Sequence, residues 1–186
     1  MTYTFLGYPP SHIMKWIEKQ PASDQPDPVD TRIVFSDGTE WTGDLKTADF
    51  TGYIPDPSSI FGYKRIDDSA TEFHLGTGTD PILTAVSNLG SSIYGGGFSN
   101  LRIIEIPKTV TKIGEYAFSN LSSIERIDLP DSVVEIDSSF VYGSDVKSIR
   151  FSNQLSSIEF KTCLSCTKLS SVHLPDNLKK IERQAF

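Results

Sequence analysis

The sequence predicts a mainly β chain, in which a solenoid of units about 23 residues long follows a small α+β module. Three observations predict it. Apolar residues recur in five columns at steps of 22 or 23 residues beyond position 100. In three of the four units a short alternating stretch of the form Ile-x-Leu-Pro closes on proline. Acidic residues, prolines and both tryptophans crowd into the first eighty residues. The boundary is therefore placed near residue 80, with a module over 1–80 and the array over 81–186.

Composition limits the function classes. The 186 residues carry 24 Asp+Glu against 17 Lys+Arg, a net charge of −7 and a pI near 4.9. A nucleic-acid binder shows a basic patch, so that class is disfavoured. No apolar run approaches the roughly 18 residues of a membrane-spanning helix. Two cysteines cannot staple a scaffold, and 38% hydrophobic residues suffice for a core.

In the module, Ser11 is placed to cap a helix over 12–19, with Ile13, Trp16 and Ile17 on one face. Residues 20–30 read as an extended loop. TRIVF, SDG and TEWTG read as a hairpin whose turn is supplied by Asp37-Gly38. FGYKRI and TEFHL are two further strands, or else TEFHL is the first rung of the array. Residues 1–80 hold 6 Lys+Arg and 13 Asp+Glu, whereas 81–186 hold 11 of each.

In the array, Ile113, Ile136, Ile158 and Ile181 form one column, and Phe118, Phe140, Cys163 and Phe186 a second. Ile104, Ile127, Ile149 and Val172 form a third. Ile106, Leu129, Phe151 and Leu174 form a fourth, and Leu101, Ile124, Val146 and Leu169 a fifth. Pro107, Pro130 and Pro175 mark the strand exit, with Ser152 replacing proline once. A unit this small cannot bury its own apolar face, so units stack and the columns become a continuous core. Proline ends each strand because it has no N–H for the ladder.

The phrases IPKTVTKIGEYAFSNLSSIERIDLP, LPDSVVEIDSSFVYGSDVKSIRF and LPDNLKKIERQAF resemble the BspA-like class of leucine-rich repeats, over about residues 82–186. The chain departs from that pattern at Gly143, where cysteine is usual, and at Ser152, where proline is usual. The unit around Ile93–Phe98 reads as three residues short. The resemblance implies a bacterial surface protein with adhesive or protein-recognition function, at the cell surface or secreted. The opening TYTFLGYPPSH has neither the basic start nor the apolar core of an export signal. The last unit lacks its strand half, so the natural chain is expected to continue, or this end to be covered by self-association.

Candidate chemistry is sparse. Cys163-Leu-Ser-Cys166 has CxxC spacing, but a redox motif wants a βαβ context and zinc a second ligand pair. Column alignment assigns both cysteines to packing. His12, His74 and His173 lie in unrelated contexts. Gly76-Thr-Gly78 lacks the third glycine of a dinucleotide site, Gly95–Gly97 lacks a phosphate-loop lysine, and Asp67-Asp68 reads as a solvated turn. No catalytic residue, cofactor or metal is expected.

What remains is surface. The residue between two core positions of a strand points outward, and neighbouring strands lie about 4.8 Å apart. That builds a ladder of Glu105, Asp128, Arg150 and His173, with Arg126 in the adjacent row and an Asp128–Arg150 cross-strand pair. These residues are the expected contacts for a protein or glycan on a host or neighbouring cell. Two other readings stay open: a structural spacer of a virion or appendage, and an enzyme with its site in residues 1–80.

Overall fold

The computed structural model describes residues 29–43, 53–55, 58, 60, 63–65, 69–77, 85–86 and 98–186. The helix over 12–19 with Trp16, the loop over 20–28, His12, Asp67-Asp68 and Gly95–Gly97 lie outside the described residues. Within them the chain is β, with no helix.

A hairpin opens the described chain. Strand β1 (Thr31–Phe35) pairs antiparallel with β2 (Glu40–Gly43), Ile33 facing Trp41. Gly38 N–H donates to Phe35 O at 2.9 Å with Gly38 at φ 80°, a left-handed position that glycine takes without Cβ strain. Asp37 Oδ1 accepts from Thr39 N and Thr39 Oγ1, so the turn is fixed from both sides of the glycine. Strands β3 (Tyr53–Pro55) and β4 (Tyr63–Arg65) form a second antiparallel pair.

Strand β5 (Ala70–His74) joins the hairpin to the array. It pairs antiparallel with β1 and, on its other side, parallel with β7 (Ile103–Glu105), placing Phe73 beside Ile104. TEFHL is thus the first rung, the second of the two readings the sequence offered. Strand β6 (Ala85–Val86) pairs parallel with β8 (Lys112–Ile113), so Val86 heads the Ile113 column and the unit read as three residues short around Ile93–Phe98 begins earlier than that reading placed it. Gly76 follows β5, and a Cβ there would lie 2.2 Å from Val29 O. Its N–H donates to Thr31 Oγ1 at 2.9 Å, so the glycine lets the rung close against the hairpin.

The remaining rungs repeat a two-strand unit. The long strands are β9 (Arg126–Asp128), β11 (Ser148–Arg150) and β13 (Ser171–His173). The short ones are β10 (Glu135–Ile136), β12 (Ser157–Ile158) and β14 (Lys180–Ile181). All pairings among them are parallel and keep the column register, Ile149 facing Ile127 and Val172. Strand β7 ends the first sheet and lies beside β9, which begins the next.

The columns are the core. Ile113, Ile158, Phe118, Leu101 and Ile124 are fully buried, whereas Ile181, Leu174 and Phe186 of the final rung are exposed. A sixth column, Val110, Val133, Leu155 and Leu178, packs with them. Phe73 meets Phe98 edge-on at 4.9 Å, and Phe140 meets both Phe118 and Phe151 at about 6 Å, geometries aromatic rings favour.

Three register assignments change. Val141 N–H donates to Thr162 O and Cys163 N–H to Ala185 O, as Phe118 N–H does to Phe140 O. Val141 therefore stands in the Phe118 column, and Phe140 one position earlier, with Ala117. Positive φ at Tyr116, Ser139, Lys161 and Gln184 follows the same phase. Leu101 N–H donates to Phe98 O as Leu169 N–H donates to Cys166 O, so Phe98 matches Cys166 rather than Phe118. The family cysteine position is occupied by Ser144, not Gly143. Ser144 Oγ donates to Phe118 O as Cys166 Sγ donates to Val141 O, one polar hydrogen for one turn carbonyl. Ser152 keeps the proline turn, with Leu155 N–H donating to its carbonyl and its hydroxyl donating to Val133 O at 2.6 Å.

Candidate functional site

The parallel strands of the two sheets, β5–β7 and β9–β11–β13, turn alternate side chains outward because a strand has period two. His74 and Glu105 face one another in register, as do Arg150 and both Asp128 and His173. The sequence-predicted row is therefore paired in register from Asp128 through Arg150 to His173, whereas Glu105 pairs with His74 in the neighbouring sheet, whose row Arg32 extends across the antiparallel pair.

The structure redistributes its charges. Arg126 Nε donates to Asp128 Oδ2 at 2.6 Å within one strand. Arg150 reaches past Asp128 and donates to Leu129 O and to Asp131 Oδ1 at 3.0 Å. The expected Asp128–Arg150 pair is thus replaced, because the long guanidinium finds a backbone carbonyl and a carboxylate together on the next turn. The N–H of Asn153 and Arg150 hold the Asp131 carboxyl below the usual range. The Asp128 carboxylate raises the Arg126 guanidinium further above its ordinary value.

At the hairpin end lies a denser cluster. His74 Nδ1 sits 2.6 Å from Glu105 Oε2, and Nε2 lies 2.8 Å from Glu72 Oε2 and 2.9 Å from Arg32 Nη2. Arg32 also pairs with Glu40 at 2.9 Å. In the imidazolium both ring nitrogens donate to carboxylates. In the Nδ1–H tautomer Nε2 accepts from Arg32. The hydrogen bond to Glu105 raises the His74 pKa, burial opposes it, and Glu72 adds to the rise. His74 in turn lowers the Glu105 carboxyl. Sequence reasoning passed over His74 because its partners lie at separations of 2, 31 and 42 residues.

Beside the face runs an open groove of about 700 Å³. Arg102, Arg126, Lys147 and Lys168 line it together with Glu125, Asp145 and the side of Ile103, which is 41% exposed. Lys147 pairs with Glu125 and Lys168 with Asp145 at 2.8 Å. Lys147 is the main cause of a lowered Glu125 carboxyl. Three of the four lining cations are paired, with Glu125, Asp145 and Asp128, which leaves the channel a positive excess of one on an acidic chain. Its signal was present in the sequence as Glu125 and Lys147 at 22 residues and Asp145 and Lys168 at 23.

Among the described residues no group of three His, Cys, Asp or Glu side chains is arranged to hold a metal ion. No helix among them is long and apolar enough to cross a membrane.

Comparison with known proteins places the array. The family model described as the BspA type leucine rich repeat region (6 copies) matches residues 87–186. None of the curated proteins matches the chain. Among solved structures, a leucine rich cell surface protein of Faecalibacterium prausnitzii is similar at 20% identity and TM-score 0.43 over 73% of this chain. This chain spans only 31% of that protein. A leucine rich repeat protein of T. pallidum is similar at 18% identity and TM-score 0.41, over 75% of this chain and 86% of that one.

Proposed function

Because the chain belongs to the BspA-type leucine-rich-repeat family, we propose that it is a non-catalytic recognition and adhesion module of a bacterial cell-surface protein. It holds a protein partner on the outward face of its long strands. The observation that carries this reading is the in-register row of Asp128, Arg150 and His173, with Glu105 on the neighbouring strand β7, beside the groove of Arg102, Lys147 and Lys168. Arg126, from the adjacent row, lines the groove and pairs with Asp128 of the ladder. Stacked units present such a row as one extended surface, the form in which solenoids commonly bind. Interleaved charges of both signs suit a polypeptide carrying its own alternating charges, since complementarity sets register and specificity more than raw affinity.

The test is a binding screen of the full chain against extracellular-matrix proteins, with a glycan array and whole cells as further arms. The reading predicts saturable binding to a protein that a combined Arg126→Glu, Asp128→Lys and Arg150→Glu variant loses while keeping its thermal midpoint. Binding that survives the triple variant would move the site elsewhere. Ordered self-assembly with no ligand in any arm would favour a structural spacer.

A further inference from the structure

In the turn after β12, the Phe118 column holds Cys163 and the position of Leu121 and Ser144 holds Cys166. Only this described unit brings two thiols to those two places. Cys166 N–H donates to Cys163 O at 3.1 Å, closing a four-residue turn with Ser165 at φ 66°. Such a turn keeps its first and fourth Cα within about 7 Å, the separation a disulfide spans. The two thiols lie close enough to perturb one another's ionisation.

We propose that Cys163 and Cys166 form a reversible intra-turn disulfide by exchange with a small disulfide such as oxidised glutathione. The two cysteines differ in a way that orders the steps. Cys163 is 2% exposed, whereas Cys166 is only partly buried and donates its thiol hydrogen to Val141 O at 3.0 Å. The neighbouring Cys163 thiol, helped by the N–H groups of Ser144 and Gly143, lowers the Cys166 pKa against the opposing effect of burial. The Cys163 pKa is pushed up by Cys166 and by burial. Thiolate is the attacking species in exchange, so Cys166 goes first.

The Cys166 thiolate attacks one sulfur of RSSR, giving a mixed disulfide and RS⁻, which takes up the proton Cys166 released. Cys163 then loses its proton to solvent and attacks Cys166 Sγ, expelling the second RS⁻, which is protonated in turn. Two protein thiols are oxidised and one RSSR is reduced to two RSH. Val141 O loses the thiol donor but keeps the N–H of Ser144 at 3.3 Å, so oxidation leaves no orphaned carbonyl.

The test equilibrates the folded chain with reduced and oxidised glutathione, traps free thiols by alkylation and digests with trypsin. Cleavage after Lys161 and Lys168 leaves both cysteines on the peptide 162–168. Under oxidising conditions the proposal predicts that this peptide carries an internal disulfide and no alkyl group, with an unchanged circular dichroism spectrum. Cys163→Ser should leave one glutathione on Cys166, and Cys166→Ser should leave Cys163 unmodified in the folded chain. Two alkylated cysteines at an oxidising poise, or a disulfide that forms only in denaturant, would overturn it. So would glutathione appearing first on Cys163.

Discussion

His74 Nδ1 and Glu105 Oε2 meet at 2.6 Å across the parallel pair β5–β7, where the hairpin is joined to the array. The contact sits on the outward face, and Glu72 and Arg32 complete it from β5 and β1.

This junction makes stability depend on pH in a stated direction. The His74 pKa is raised in the fold, so its contribution is full below the ordinary value of 6.5 and is lost as pH rises through the raised value. The Glu105 pKa is lowered, so its contribution is full above 4.5 and is lost as pH falls through the depressed value. Together they favour the fold most between about pH 4.5 and 6.5. Urea midpoints across pH should show that maximum, and His74→Gln should flatten the alkaline side at a cost of about 1 kcal/mol near pH 5.5. Glu105 is 68% exposed, so added salt should shrink the effect.

Core and face should respond oppositely to substitution. Ile158→Asp places an unpaired carboxylate at a fully buried column position and should cost more than about 4 kcal/mol, unfolding the array. Asp128→Ala removes an exposed intrastrand pair and should change stability by less than about 0.5 kcal/mol. Thermal melts of the two variants decide it; a neutral Ile158→Asp would refute the column register.

The polar column gives a sharper contrast. Ser144 Oγ donates to Phe118 O and accepts from Leu121 N at 3.0 Å, with no exposed surface. Ser144→Ala strands both backbone groups and should cost about 1–3 kcal/mol. Ser144→Cys restores the donor used at Cys166 and should cost less than the alanine. Equal denaturation midpoints for the two would contradict the role given to the hydroxyl.

Gly76 is a test of the junction's packing. Gly76→Ala drives a Cβ to within 2.2 Å of Val29 O and 2.4 Å of Asp30 C, both backbone atoms that cannot swing aside. A loss of about 1–3 kcal/mol is expected. Hydrogen exchange should rise in β1 and β5 while β9–β14 stay protected.

The array was legible because stacked units repeat a chemical requirement at fixed spacing: Ile113, Ile136 and Ile158 announce a shared interior whatever surrounds them. The outward ladder followed from strand alternation. Phase within the turns was harder to read. Phe140 is aromatic like Phe118, and side-chain similarity outvoted the 23-residue step that puts Val141 there; backbone hydrogen bonds settle it. Serine standing for cysteine at Ser144 was hidden because one needs the carbonyl it serves to see the equivalence. The His74 cluster and the Arg150–Asp131 pair depend on long side chains choosing among neighbours, which spacing alone does not rank.

Lysine acetylation footprinting of the bound complex tests the central claim most directly. Lys147 and Lys168 line the groove beside the proposed face, whereas Lys112 and Lys180 stand on the short-strand ladder. All four are at least 39% exposed in the free chain, so all four should label there. With a partner bound, the account predicts that Lys147 and Lys168 become protected while Lys112 and Lys180 label as before. Protection of Lys112 and Lys180 with Lys147 and Lys168 still reactive would contradict it.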